Sequence, residues 1–208
     1  MSTAKLSSVT FPIDSKSGLD SVNAFFKGII GDHEANIGSV KGGDAFMEAG
    51  WLFGCSAEMK NVGFNSNHAS IIKVLVVGEI RHLMLEWSSF KPAIVKIIGE
   101  GADKLSPDEI LEKFKSMDEA KVIELHKHGC NMFQCVLRKD DVLYVPTGWL
   151  SIEVAANQTL IYGIRKSFFK KGCYAPYKDA IEIVRAQGGK SLARMEQICD
   201  VLKPPALS

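Results

Sequence analysis

Few side chains in this sequence are equipped for chemistry. It has five histidines and five cysteines, and only His126-Lys127-His128, with Cys130 just beyond, has ligand-like spacing. On a strand, alternate residues share a face, so His126, His128 and Cys130 would project together and could bind zinc or copper. The stretch Lys121 to His128 reads equally as strand or helix, and an exposed strand end or loop also suits it. His82 stands alone on a strand-like segment, where a single histidine is more often a core or surface residue than a ligand. Cys130 and Cys135 are not followed by a second cysteine pair, so no zinc-ribbon pattern forms. No Ser-His-Asp order, phosphate-cradling glycine loop or paired-carboxylate motif is present, and Gly99-Glu100-Gly101 is too short for a nucleotide fingerprint. The basic run Arg165, Lys166, Lys170 and Lys171, interleaved with Phe168 and Phe169, reads as a solvated face.

These residues must be carried by a chain of 208 residues with 46% hydrophobic side chains, enough for one domain and a sizeable core. A net charge of +1 gives no general attraction to nucleic acid or an anionic membrane. The apolar run Ile71 to Val77 is short and interrupted by Lys73, so no segment is expected to cross a bilayer. The first residues lack the apolar stretch of a secretory signal. Cys55, Cys130, Cys135, Cys173 and Cys199 are odd in number and are expected to be reduced packing residues of an intracellular protein, with cytoplasm and nucleus not distinguished.

The hydrophobic periodicity changes along the chain. Leu19, Val22, Phe25, Phe26, Ile29 and Ile30 recur at helical spacing. Asp44 is placed to cap a short helix through Ala49. From Trp51 the texture is strand-like: Trp51 to Cys55, Ile71 to Val77, Ile80 to Leu85, Ala93 to Ile98, Met132 to Leu137, Val142 to Val145, Ser151 to Val154 and Gln158 to Phe169. Gly78-Glu79 makes a tight connection between two of them. Ser106-Pro107-Asp108-Glu109 is a capping box that opens a short helix ending near Met117. Two further helices follow, one carrying Ile181, Ile183 and Val184, the other Leu192, Met195, Ile198 and Val201. Many short strands favour a sandwich or barrel. The expected organisation is an N-terminal helical segment (1–50), a β core (51–169) and a C-terminal helical hairpin (170–208).

The most ordered local signal is Arg138 to Ser151, RKDDVLYVPTGWLS. Val142 to Val145 favour a strand, Pro146 ends it by removing a donor and fixing φ, Gly148 permits a tight turn, and Trp149 supplies an apolar anchor. This segment resembles the closing motif of the JmjC and cupin-like hydroxylase family, which reads roughly G-D-V-L-Y-V-P-P-G-W-W-H. Tyr144, Pro146, Gly148 and Trp149 match. The resemblance implies a mainly β fold with flanking helices, a cupin-like double-stranded β-helix or jelly roll of JmjC type, covering roughly residues 51 to 169.

In that family the final His of the motif, and an H-x-D upstream, ligate Fe(II), and a Lys holds 2-oxoglutarate. Here Ser151 stands at the final His. Gly-Glu-Ile-Arg-His at 78–82 resembles the family's central glycine segment, which puts the H-x-D at Asn65 and Asn67 and the Lys at Ile80. Amide and hydroxyl oxygens are poor Fe(II) ligands beside imidazole and carboxylate, and isoleucine cannot pair with a dicarboxylate. A shifted register would bring His68, but with Ser70 rather than an acid after it. The resemblance therefore implies a catalytically degenerate member, a binding or scaffold protein without Fe(II) or 2-oxoglutarate. Two other readings stand beside it. One is an active Fe(II)/2-oxoglutarate oxygenase, hydroxylating a protein or small molecule, with atypical ligands among Asn65, Asn67, His68 and Ser151. The other is a metal-binding cupin using His126 and His128. Family members often dimerise through helices after the barrel, so a homodimer through the C-terminal helices, or an unidentified protein partner docked there, is expected.

Overall fold

The structure is a computed structural model, and it describes residues 9–12, 16–41, 49–55, 61–64, 68–155, 160–186 and 191–204. Nine strands and six α-helices follow in order: β1 (Val9–Pro12), α1 (Lys16–Ile30), β2 (Ala49–Cys55), β3 (Asn61–Phe64), β4 (Ser70–Val77), β5 (Ile80–Glu86), α2 (Trp87–Ile98), α3 (Pro107–Lys115), α4 (Glu119–Lys127), β6 (Met132–Leu137), β7 (Val142–Val145), β8 (Trp149–Ala155), β9 (Leu160–Phe168), α5 (Tyr174–Ala186) and α6 (Leu192–Leu202), counted among the described residues.

The strands form two sheets, ordered β1-β2-β9-β4-β7 and β3-β8-β5-β6. Every strand-to-strand pairing is antiparallel. The chain passes between sheets at β2–β3, β3–β4, β4–β5, β6–β7, β7–β8 and β8–β9, so short connections stitch two layers together. This mainly antiparallel sandwich with flanking helices is compatible with a cupin-like fold.

Period-two alternation separates the faces. Ile72, Val74, Ile164 and Phe168 face outward and pack on Val22, Phe26 and Ile30 of α1. Leu85, Leu150 and Ile152 face the other way, onto Trp87, Phe90 and Ile94 of α2, Ile110 and Phe114 of α3, and Leu125 of α4. Between the sheets lie Leu75, Ile80, Met84, Leu137, Leu143, Val145 and Ile161.

Several expectations need correction. Ala93–Ile98 is part of α2 rather than a strand. Its β-branched run masks a helical stripe that is plain from further upstream, where Trp87, Phe90, Ala93 and Ile94 are buried together. Lys121–Lys127, which the sequence leaves open between strand and helix, is helical, with the Asp118 side chain capping α4 by accepting from the Lys121 N–H at 2.9 Å. Helices thus flank the sheets from the middle of the chain as well as from its ends. Strand pairing begins before residue 51, since β1 pairs with β2. The helix expected from Asp44 lies outside the described residues except for Ala49, which opens β2. The capping box at Ser106 forms as expected, with Ser106 and Glu109 exchanging bonds.

The apolar stripes of α5 and α6 are used within this chain. Tyr177, Ile181 and Val184 meet Met195, Ile198 and Leu202 over Ile37, Ala69 and Phe169. Ile183 reaches the cluster under α2. Of the expected stripe, Val201 remains outside, 42% exposed. Apart from Val201, these apolar positions are therefore largely core.

Candidate functional site

The turn from β7 to β8 fixes one end of the sandwich. Thr147 is buried; its N–H donates to Ser70 Oγ at 3.2 Å, and the two hydroxyls lie 3.0 Å apart. Gly148 has φ of 77°, and a Cβ there would sit 3.3 Å from the Pro176 carbonyl oxygen of α5. Its own carbonyl accepts from the Trp87 N–H at 3.2 Å. Glycine is thus required both by conformation and by the close approach of α5. Tyr144 lies on the outward face of β7, its hydroxyl 3.3 Å from Ser70 Oγ and its ring beside Phe168. Trp149 points the other way, packing on Phe133 of β6 and on the core between the sheets.

From Trp149 the alternation of β8 turns Ser151 and Glu153 inward and Leu150 and Ile152 toward the helices. The register sets Ser151 opposite Met84 on β5 and Gly63 on β3. Glu153 is set opposite His82 on β5, and His82 opposite Cys135 on β6. In the facing sheet Lys73 of β4 pairs with Arg165 of β9, and Ile71 with Ser167. The Lys73 ammonium crosses the interior and donates to the Glu153 carboxylate, both side chains being almost wholly buried.

The sandwich interior is therefore polar at its centre. Ser151 Oγ, Ser167 Oγ and both ring nitrogens of His82 are buried and meet no hydrogen-bond partner among the described residues. Burial, reinforced by the neighbouring Arg165 charge, pulls Lys73 down to about 7. Burial, then the Lys73 charge, pulls His82 down to about 3 and keeps it a neutral imidazole at pH 7. Because β7 leads directly into β8, the Val145 end of one sheet and the Trp149 end of the other lie together. Ser167, level with Ile71 and Val145, and Ser151, just after Trp149, both lie toward that end from the Lys73–Glu153 bridge.

The expected site residues fall into separate places. Ser151 is buried on the inner face of β8. Ile80 is fully buried on the inner face of β5, in an apolar cluster with Leu75 and Leu137. Asn65 and Asn67 lie outside the described residues; β3 approaches them with Phe64 paired to Leu150. His68 has a positive φ of 57° and its ring lies 4.5 Å from that of Phe64. Phe64 in turn packs on Trp87, so His68 belongs to the helical side, away from the inner face that carries Ser151. Burial pulls His68 down to about 4.

His126 and His128 are at the C-terminal end of α4, which corrects the shared-face geometry expected of a strand. Residues two apart on a helix diverge. His128 lies 3.6 Å from Glu124, and Cys130 is buried, its thiol pushed up to about 11 chiefly by desolvation. Among the described residues no three His, Cys, Asp or Glu side chains gather as a metal site. The basic run is similarly dispersed: Lys166 lies 3.2 Å from Glu34, Lys170 lies over the Tyr144 ring, and Phe168 and Phe169 are core. Cys130, Cys135, Cys173 and Cys199 are free thiols.

Lys73, Glu153, His82 and Ser167 were missed as a group by sequence reasoning. The available signal was Lys73 itself, a charge inside an apolar strand, together with the period-two pair Ser151 and Glu153. No described helix is long and apolar enough to cross a membrane.

No protein-family profile matches the chain, and no curated protein matches it. Among solved structures, Fe(II)-HppE with the alternative substrate (S)-1-HPP aligns at 13% identity over 59% of this chain and 43% of that one, with a TM-score of 0.32. Hydroxypropylphosphonic acid epoxidase from S. wedmorenis aligns at 10% identity over 59% of this chain and 44% of that one, with a TM-score of 0.34. The chain spans less than half the length of either structure.

Proposed function

We propose that the two sheets are a cupin-like jelly roll of JmjC type, catalytically degenerate, that works as a metal-independent binding protein. The strand order supports the jelly roll, because eight of the strands, β2 to β9, divide four and four between two facing sheets. The donor set does not suit Fe(II). The position of the last imidazole is the hydroxyl of Ser151, and the position of the cosubstrate lysine is the apolar Ile80. The observation that carries the reading is the Lys73–Glu153 bridge. The inner face beside Ser151 already holds a cation belonging to the chain itself, neutralised by a carboxylate two residues further along the same strand. A divalent metal next to that ammonium would face repulsion in a low-dielectric interior.

Calorimetry with Fe(II) and 2-oxoglutarate under anaerobic conditions tests this. The expected result is no saturable binding of 2-oxoglutarate dependent on Fe(II), and no oxygen-dependent formation of succinate. Micromolar, Fe(II)-dependent binding of 2-oxoglutarate overturns the reading, and succinate formation establishes an oxygenase.

A further inference from the structure

Among the described residues, four buried polar atoms without hydrogen-bond partners face one interior: Ser151 Oγ and the two His82 nitrogens from one sheet, and Ser167 Oγ from the other. Buried polar groups in folded proteins almost always have a partner, from the chain, from water or from a ligand. These four share this interior with a lysine whose ammonium uses one N–H on Glu153 and has two more to give. The inventory is rich in donors: two hydroxyls, the remaining ammonium protons and the single N–H of a neutral imidazole. Glu153 is already engaged, so the complementary guest is an acceptor.

We propose that the interior binds a small carboxylate without a metal, between the Lys73 ammonium and the hydroxyls of Ser151 and Ser167, with His82 donating from the side. The proposal rests on the metal-independent reading above and names its ligand class. A carboxylate presents two coplanar oxygens, which suits one hydroxyl from each sheet, and both serines lie on the same side of the Lys73–Glu153 bridge. Inorganic phosphate fits less well. It is bulkier and carries more charge than one lysine, already shared with Glu153, can balance. Arg165, next to Lys73 in the sheet, adds positive potential on the same face.

The test is titration calorimetry of the full chain in excess chelator with acetate, propionate and inorganic phosphate. Acetate or propionate is expected to bind. Ser151→Ala and Ser167→Ala are each expected to weaken that binding by about fivefold, the worth of one hydrogen bond. Affinity is expected to fall as pH rises through about 7, where Lys73 loses its proton. The double variant Lys73→Met/Glu153→Leu, checked for fold by circular dichroism, is expected to abolish binding. Ser167→Ala and the pH profile decide the matter should that double variant not fold. Absence of binding by either carboxylate, binding that both serine variants leave unchanged, or binding of phosphate alone overturns the proposal while leaving the metal-independent reading in place. Carboxylate binding that requires added Fe(II) overturns the metal-independent reading itself.

Discussion

Lys73 on β4 and Glu153 on β8 meet inside the sandwich, the ammonium donating to the carboxylate, so that an ion pair ties one sheet to the other. Both side chains are desolvated, which makes the pair costly to break and not necessarily stabilising as a whole. Lys73→Met or Glu153→Gln alone is expected to destabilise by about 3–5 kcal/mol, because each strands an uncompensated polar partner. The double variant Lys73→Met/Glu153→Leu is expected to recover most of that loss. A double-mutant cycle by urea denaturation measures both terms.

Acid is expected to unfold the protein through its buried histidines. His82 and His68 have folded-state values of about 3 and about 4, below the ordinary 6.5 that an unfolded chain shows. The unfolded state therefore binds more protons below pH 6.5, and stability falls as pH drops from 6.5 toward 3. Each tenfold change in proton affinity is worth about 1.4 kcal/mol, so the two together amount to several kcal/mol. His82→Leu is expected to flatten the acid limb of the stability profile. An unchanged limb refutes the assignment.

The same linkage acts on the alkaline side through Lys73. Its value of about 7 lies below the ordinary 10.5, so the folded state binds fewer protons between these limits and stability rises with pH across that window. Lys73→Met/Glu153→Leu is expected to remove the rise. Denaturation midpoints at pH 7 and pH 10 provide the comparison.

Gly78, at the β4–β5 connection, has φ of 93°, and a Cβ there would lie 2.6 Å from the Leu160 carbonyl oxygen. Gly78→Ala is expected to cost about 2 kcal/mol or more, from backbone strain and the clash with β9. A thermal melt indistinguishable from that of the parent protein contradicts this.

Removing residues from about Ala180 onward is expected to unfold the sandwich rather than only change its assembly. Ile181, Val184, Met195 and Ile198 cover Phe169, Ala69 and Ile37. Circular dichroism of the truncated chain checks it; a cooperative melt with native β signal shows that the sheets stand alone.

The sequence by itself determined most of the local structure, and it did so where short-range physics is strong. Met132–Leu137 and Val142–Val145 are read from β-branched and aromatic runs, the end of β7 from Pro146, and the start of α3 from the Ser106 capping box. Ser151 and Ile80 were also legible as the residue types at the positions the resemblance marks. It misread Ala93–Ile98, where a β-branched run on a buried helix imitates a strand, and left α4 undecided because nine residues carry only a weak apolar stripe. What only the tertiary structure decided is which inward residues meet. Lys73 and Glu153 are far apart in the chain and lie on different sheets, and no local pattern specifies how one sheet stacks on another. Their contact exists because the β4–β9 and β8–β5 registers turn both side chains toward the same interior, where burial leaves the ammonium no solvent and the carboxylate is the group within reach.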